Sequence, residues 1–176
     1  MPGCPRMRHV LLRVRQEAEM YKIGDKVVYP MHGAGTIEKI EEKTVLGESR
    51  KYYILRVHHG NMQVMVPVNG SDQAGLRNIV DESVIPEVIE VLGAESTPMD
   101  ENWNRRNREN MEHLKTGDIK EVAAVVRNLT RVDRVKKLST GEKKLLSTAK
   151  QILESELIYS GGYTMEEADE MVETNI

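Results

Sequence analysis

The sequence predicts an α+β protein in which a small antiparallel β-barrel is followed by a compact all-α domain. Two periodicities lead to this prediction. Within residues 20–80 apolar and polar residues alternate, which is typical of half-buried strands joined by tight turns. Within residues 81–176 apolar residues recur at helical spacing instead. The composition changes between the two, and the stretch GAESTPMDEN places the domain boundary somewhere within residues 80–100.

The predicted strands differ in their patterns. Two of them carry apolar side chains on one side: Tyr53, Leu55 and Val57 in KYYILRV, and Met62, Val64, Val66 and Val68 in MQVMVPV. The charged stretch GTIEKIEEKTVL predicts a long strand ended by a GES turn, and HHGN at 58–61 predicts the next turn. YPMHGAG, which contains His32, predicts a strand-to-strand turn. It lacks the Lys-Ser/Thr of a phosphate loop and does not open a helix.

Start and stop signals mark the predicted helices. ESVIPEVIEVLG places valines at i, i+4 and i+7, and Gly93 is a candidate C-terminal stop. Asp118 is a candidate N-cap for the stretch that follows it. Two further helices are predicted from capping boxes, in which a hydroxyl residue is followed three positions later by a glutamate: Ser139 with Glu142, and Thr164 with Glu167.

The cysteine count and the lengths of the apolar runs indicate where in the cell the protein is expected. The single cysteine, Cys4, cannot form an internal disulfide, so a reducing, cytoplasmic location is expected. No apolar run approaches the length that spans a bilayer, so no membrane partner is expected. Residues 1–19 are too charged for a secretory signal, and they are predicted to be an upstream extension or a flexible basic tail outside the fold.

Charge is distributed unevenly along the chain. The formal net charge is −3, but residues 103–144 carry twelve Lys and Arg against six Asp and Glu, which gives +6. The segments on either side are acidic: residues 20–102 carry −5 and residues 145–176 carry −6. A basic middle between acidic segments indicates either one surface that faces phosphates or a solvated helical surface on which cations happen to cluster.

No motif indicates catalysis. His58 and His59 are adjacent, so in a strand they would point to opposite faces, and no other metal-ligand motif accompanies them. The acidic residues follow a solvated pattern, and none has an obvious buried partner. The sequence therefore predicts a protein that is not an enzyme and that needs no metal, cofactor or small-molecule substrate.

The only tryptophan, Trp103, lies in the polar stretch DENWNRRNREN. On a helix that begins near Asn102 it shares a face with polar residues, so no apolar stripe continues from it at close range. One interpretation is that Trp103 packs between this helix and the preceding one. The other is that the ring is displayed among arginines, where it can contact bases while the cations neutralise phosphates.

Three separated stretches carry a family resemblance: KIGDKVVYPMHGAGTIEKIEEKTVLG, NWNRRNRENMEHLKTGDIKEVAAVVRNL and LSTGEKKLLSTAKQIL. In these stretches the chain resembles the CarD/CdnL family of bacterial transcription regulators, from Met20 to about Ile158. The resemblance implies a Tudor-like (SH3-like) barrel that docks on the β subunit of RNA polymerase. It also implies a helical domain that contacts promoter DNA just upstream of the melted region.

The resemblance also implies roles for individual residues. In the family the tryptophan of an Asn-Trp-x-Arg-Arg motif wedges into the minor groove at the edge of the transcription bubble, and that residue is Trp103 here. The implied basic DNA contacts are Arg105, Arg106, Arg108, Lys143 and Lys144. The implied polymerase contacts are Lys43 and Met65. The latter stands where relatives often carry arginine, and it alternates out of phase with Val64 and Val66, so it is expected to face outward.

The expected function is therefore stabilisation of the open promoter complex by a protein associated with the nucleoid through RNA polymerase. Two alternatives remain at this point. A sequence-specific helix-turn-helix repressor would explain the basic helices but not the barrel. A protein–protein adaptor would bridge partners without touching DNA, and it predicts that Trp103 is buried.

Overall fold

The computed structural model describes residues 20–176, so the expectation for residues 1–19 lies outside the described part of the chain. The strands are β1 (Lys26–Tyr29), β2 (Gly33–Val45), β3 (Glu48–Val57), β4 (Gln63–Pro67) and β5 (Arg77–Asn78). The helices are α1 (Ile85–Gly93), α2 (Trp103–Lys115), α3 (Ile119–Val135), α4 (Thr140–Gly161) and α5 (Met165–Asn175). The predicted α+β class is confirmed.

The strands form one antiparallel sheet in the order β4-β3-β2-β1-β5, so β4 and β5 are its edges. A bulge between Ile37 and Lys39 interrupts the pairing of the long strand β2 with β3, and such bulges bend the strand that carries them. The sheet encloses a hydrophobic core to which Tyr53, Leu55 and Val66 contribute, as their alternation predicts.

Two details of the strand predictions are corrected. Met62 was expected on the core side, but it is 55% exposed and precedes β4. It follows the 3₁₀ turn at His59–Asn61, where the backbone has left the sheet. The hairpin between β2 and β3 turns at Leu46 and Gly47, whose φ angles are 54° and 81°, and β3 begins at Glu48, inside the predicted GES turn. Two positive φ values in a two-residue loop match the twist of the flanking strands.

The helix caps follow the sequence signals. The Asp118 carboxylate accepts hydrogen bonds from the backbone N–H groups of Lys120 and Glu121 at the start of α3. Both predicted capping boxes are present, at Ser139 for α4 and at Thr164 for α5. Helix α1 ends at Gly93. These caps satisfy backbone donors that the helix leaves unpaired, so they fix where each helix starts.

The segment between α1 and α2 is tied to α3. Asn128 donates to the Thr97 hydroxyl at 2.6 Å, and Arg127 donates to the Val91 carbonyl at 2.8 Å. Arg131 donates to the Ala94 carbonyl at 2.7 Å. Helix α1 therefore belongs to the helical core together with α3 and α4. The GAESTPMDEN stretch begins at the last residue of α1, and the placement of a domain boundary within residues 80–100 stays a prediction.

A buried ion pair joins the sheet to the helices. The Arg77 guanidinium on β5 donates to both carboxylate oxygens of Glu156 on α4, at 2.6 and 2.8 Å. It also donates twice to the carbonyl of Gly117, just past the end of α2, at 2.8 and 2.6 Å. The Glu156 side chain is only 2% exposed and accepts a further hydrogen bond from Val80 N–H at 3.1 Å. Arg77 thus holds the barrel, the end of α2 and the middle of α4 together.

The same junction contains a close backbone approach. Ser155 on α4 accepts a hydrogen bond from Ala34 N–H at 3.0 Å. A Cβ atom at Gly33 would lie 2.7 Å from the Ser155 hydroxyl and 3.3 Å from the Ile152 backbone. Since Gly33 also has a φ of 86°, only glycine fits there without strain. The sheet and α4 therefore approach each other too closely at position 33 to admit a side chain.

Two further glutamates on α4 are buried, contrary to the expectation that the acids are solvated. Glu142 is paired with Arg106 on α2 and Glu154 lies beside Asp169 on α5, and the periodicity of α4 alone does not reveal such contacts with other helices. Burial raises the pKa of Glu154 to about 7; the Lys150 ammonium opposes this shift and the Asp169 carboxylate adds to it. Lys150 in turn bonds Asp169 and Glu173 on α5, at 2.9 and 2.7 Å, and so attaches α5 to α4.

Arg77→Met should destabilise the protein, because it leaves the Glu156 carboxylate buried without a counter-charge. Loss of one partner of a buried pair typically costs 3–5 kcal/mol, and about 3 kcal/mol is expected here because Arg77 is partly exposed. Urea unfolding measures the change. The matched control is Arg134→Met, which removes an exposed pair with Glu173 and should cost less than about 1 kcal/mol. Equal costs for the two variants would contradict this assignment.

Glu154→Gln should alter how stability depends on pH. Glu154 holds its proton more tightly when folded than when unfolded, so its contribution is largest at low pH. That contribution is lost as pH rises from the ordinary value of 4.5 to about 7. Relative to wild type, the variant should be more stable by about 1–3 kcal/mol at pH 8 and similar at pH 4.5. Urea titrations at both pH values test this, with the exposed Glu166→Gln as control. A constant difference across the range would refute the buried-carboxyl explanation.

Candidate functional site

Trp103 is the first residue of α2, and its backbone is fixed by the cap. The Asn102 side chain accepts hydrogen bonds from the N–H groups of Asn104 and Arg105, at 3.0 and 3.3 Å. The Asn102 N–H donates to the Asp100 carboxylate at 2.7 Å. The Trp103 side chain is nevertheless 52% exposed. An indole on a well-capped helix start with half of its surface in solvent is available to a partner.

The packing of α2 explains why the ring is left out. The helix buries Asn110 and Leu114, which lie on the same face as Trp103 but seven and eleven residues later. Leu114 belongs to the helical core, whereas Trp103 lies about 16 Å earlier along the axis, beyond the core. The C-terminal half of α2 is thus anchored, and its first turn projects the ring. This arrangement differs from the buried ring that the adaptor alternative predicts.

Arg106 fixes the start of α2 to α4. Its guanidinium bonds the Glu142 carboxylate at 2.7 Å through Nε and at 2.5 Å through a terminal nitrogen. It also donates to the carbonyls of Asp100 and Glu101, at 3.1 and 3.3 Å. The two side chains are 11% and 4% exposed. Burial favours a raised pKa for Glu142, but hydrogen bonds from Arg106 and Ser139 outweigh it, so the pKa is lowered and the carboxylate stays charged.

Arg106 therefore differs from the other expected DNA contacts. Its guanidinium faces the protein and is engaged on several sides, and a direct contact with DNA stays a prediction. Its structural role was missed by the sequence analysis, which identified Glu142 only as half of a capping box. The partner lies 36 residues away in sequence, and a local pattern contains no signal of such a pair.

The remaining expected DNA contacts are exposed. Arg105 has one weak ion pair, with Asp100 at 3.7 Å. Within residues 20–176 the side chains of Arg108, Lys143 and Lys144 have no hydrogen-bond or ion-pair partner. Because Arg106 joins α2 to the first turn of α4, Lys143 beside Glu142 lies near the start of α2. The structure thus brings the first turns of α2 and α4 together, with an exposed ring and several free cations.

The two expected polymerase contacts lie together on the sheet. The Lys43 ammonium on β2 is 3.2 Å from the Met65 sulfur on β4, and 3.7 Å from the Glu41 carboxylate. Met65 is 45% exposed, as its alternation with the buried Val66 predicts. The hairpin tip beyond Lys43 is apolar, and Leu46 there is fully exposed with a positive φ. This surface combines one cation, exposed apolar side chains and the open edge of β4.

Residues 20–176 contain no cluster of three or more His, Cys, Asp and Glu arranged to hold a metal ion. None of the described helices is both long enough and apolar enough to cross a bilayer. The His58 ring packs edge-on against Tyr159, with a centroid separation of 5.7 Å, and the His32 ring stacks on Tyr29 at 4.9 Å.

Comparisons with known proteins identify the family of the chain. The model of the CarD-like/TRCF RID domain matches residues 21–80, and the model of the CarD C-terminal domain matches residues 87–173. YdeB of Bacillus subtilis (strain 168), which bears the name of a transcription factor, is 39% identical over 145 residues, covering 82% of this chain and 95% of that protein. The solved structure "CdnLNt from Myxoccoccus xanthus" is 40% identical, covers 34% of this chain and 84% of that chain, and superposes with a TM-score of 0.30. The chain belongs to the CarD family of transcription regulators.

Proposed function

We propose that the protein docks on the β subunit of RNA polymerase and stabilises the open promoter complex. In this proposal Trp103 wedges into the minor groove at the upstream edge of the bubble, and the surrounding cations contact phosphates. The observation that carries the proposal is the half-exposed ring on the rigid first turn of α2, next to exposed cations on α2 and α4. Membership of the CarD family supports it.

The wedge acts because it binds the two states of the promoter differently. Promoter opening is reversible, and the strands re-anneal by restacking at the edge of the bubble. An inserted ring hinders restacking in the open state and has no equivalent site in closed duplex. Only such differential binding moves an equilibrium. One well-placed stacking contact contributes on the order of 1–3 kcal/mol.

The basic residues supply affinity without sequence selection. Arg105, Arg108, Lys143 and Lys144 are long, exposed side chains suited to phosphate oxygens, and phosphate contacts position a protein without reading bases. A sequence-specific helix-turn-helix repressor would leave the barrel unexplained, and residues 21–80 match the model of the CarD-like/TRCF RID domain.

Docking on polymerase would direct the protein to promoters. Strand β4 is an edge of the sheet, so its outer backbone groups are available for pairing with a strand of the polymerase. Met65 and Lys43 lie beside that edge, where an apolar contact and one charge can add to the backbone pairing. Docking also raises the local concentration of the helical domain at promoters, since the two domains are joined by the Arg77–Glu156 junction.

Trp103→Ala should shorten the lifetime of the open complex. Loss of 1–3 kcal/mol of stacking corresponds to a decrease of about fivefold to about a hundredfold. The lifetime is measured by challenging preformed complexes with a competitor and following strand opening by footprinting. Ile23→Ala is the matched control, because Ile23 is an exposed apolar residue of the barrel half, away from α2 and α4. An unchanged lifetime for Trp103→Ala would remove the wedge from the mechanism.

Lys43→Glu and Met65→Glu should each weaken polymerase binding while leaving the helical domain intact. Both changes place a negative charge on the β4 side of the sheet, next to Glu41. Retention of the β subunit in a pull-down measures binding. Lys22→Glu makes the same charge change as Lys43→Glu on an exposed barrel residue outside that surface and should bind like wild type. If both test variants retain as much β subunit as the wild-type protein does, this surface is excluded as the docking site.

A further inference from the structure

Free cations in the helical domain are concentrated at one place. Most Lys and Arg side chains of residues 81–176 have a carboxylate or carbonyl partner: Arg105, Arg106, Lys115, Lys120, Arg127, Arg131, Arg134 and Lys150. Five side chains in that range have none among the described residues: Arg108, Lys136, Lys137, Lys143 and Lys144. Four of these five lie within nine residues, at the loop from α3 to α4 and the first turns of α4.

The loop that carries Lys136 and Lys137 has a fixed backbone. The Lys136 N–H donates to the Val132 carbonyl at 2.8 Å, which closes α3. The next residue but one, Leu138, is buried in the helical core, and its N–H donates to the Asp133 carboxylate at 3.0 Å. Both lysines are exposed between these two anchors. Their ammonium groups are therefore presented from an ordered turn, and binding an anion requires little further ordering of the backbone.

The charge of this cluster is only partly cancelled locally. Between Asp133 and Glu154 the sequence contains one acid, Glu142. That carboxylate is buried and bonded to Arg106, which supplies the compensating charge from α2. Asp133 is bonded to the backbone of the loop. Asp133 keeps its negative charge and lines the same pocket as Lys143, so it offsets one of the four lysine charges. The cluster keeps a positive excess, and the first turn of α4 adds the positive end of the helix dipole.

The dimensions suit a nucleic-acid backbone. Lys137 lies two residues before the Ser139 cap, so their Cα atoms are at most about 7.6 Å apart. Lys143 lies four residues after Ser139, or about 6 Å along the helix. The Cα atoms of Lys137 and Lys143 are thus within about 14 Å. One DNA strand carries about four phosphates over that length, since its charges are about 3.4 Å apart along the axis.

We propose that Lys136 and Lys137 form, together with Lys143 and Lys144, a phosphate-binding surface that grips duplex DNA beside the Trp103 contact. The inference rests on the proposed function and extends it, since it assigns the loop from α3 to α4 to the DNA interface. These contacts are independent of sequence, because ammonium groups address phosphates. Arg106 contributes indirectly, by cancelling the charge of Glu142 at the centre of the cluster.

The test uses the full chain and a fluorescently labelled duplex DNA, with binding followed by anisotropy from about 50 to about 200 mM KCl. The variant is Lys136→Ala/Lys137→Ala. The slope of log K against log salt is negative, and each lost phosphate contact makes it less steep by about 0.9. The slope of the variant should therefore be less steep than that of wild type by about 1 to 2. The control, Lys22→Ala/Lys39→Ala, removes the same net charge from exposed positions on the barrel and should leave the slope unchanged. Circular dichroism melts verify that each variant is folded, and Lys136→Gln/Lys137→Gln provides an independent replacement.

Two further variants, Lys143→Ala/Lys144→Ala and Arg105→Ala/Arg108→Ala, separate this inference from the function on which it rests. If these two weaken DNA binding and the loop variant keeps the wild-type slope, the loop lysines are a solvated surface and the inference alone is overturned. If the loop and barrel doubles make the slope less steep by equal amounts, only net charge matters and the inference is again overturned. Failure of the wild-type protein to bind duplex DNA at about 50 mM KCl would overturn this inference, whereas the proposed function is overturned separately by an unchanged open-complex lifetime for Trp103→Ala.

Discussion

Two buried carboxylates of α4 determine where helix α2 lies, and the exposed tryptophan depends on that position. Glu142 holds the start of α2 through Arg106, and Glu156 holds Arg77 of the barrel, which also bonds the carbonyl of Gly117 at the end of α2. The two glutamates are fourteen residues apart, which is about 21 Å of helix. Buried ion pairs add little net stability, because desolvation offsets their attraction, but they penalise every arrangement that separates the partners. Their effect here is to fix geometry.

A fixed geometry matters because the stacking contact of the inserted ring contributes only a small free energy. A stacking contact of about 1–3 kcal/mol would be largely lost if the first turn of α2 had to be ordered on binding, since ordering one backbone residue costs about 1–2 kcal/mol. The Asn102 cap and the Arg106–Glu142 ion pair already order this turn when the protein folds, so it need not be ordered on binding. The same reasoning applies to the junction with the barrel. A rigid connection lets polymerase docking determine the place of the ring, whereas a flexible tether would only raise its concentration.

Local structure could be predicted from the sequence, and long-range pairing could not. Alternation identified the buried side of β3, and side-chain spacing identified the caps at Asp118 and Ser139, because those signals lie within a few residues. Family motifs pointed to Trp103, and its exposure agrees with the displayed interpretation. The burial of Glu142 was missed because its partner is distant in sequence. The cluster at Lys136 was missed for the same reason: a charge count treats all cations alike, and tertiary structure decides which ones remain unpaired.

The distribution of charge also bears on how the proposed DNA contact would be restricted to promoters. The chain as a whole carries −3, with acidic segments on both sides of the basic one, so at long range it does not attract DNA. The free lysines act only within about a Debye length, roughly 8–10 Å at physiological salt. At physiological salt a phosphate surface of that kind binds free DNA only weakly, and it becomes effective when another contact brings the duplex close. The phosphate contacts do not read sequence, the stacking contact is weak, and the chain carries a net negative charge, so the protein would act only where it is bound to polymerase. Selectivity for promoters would then have to come from polymerase.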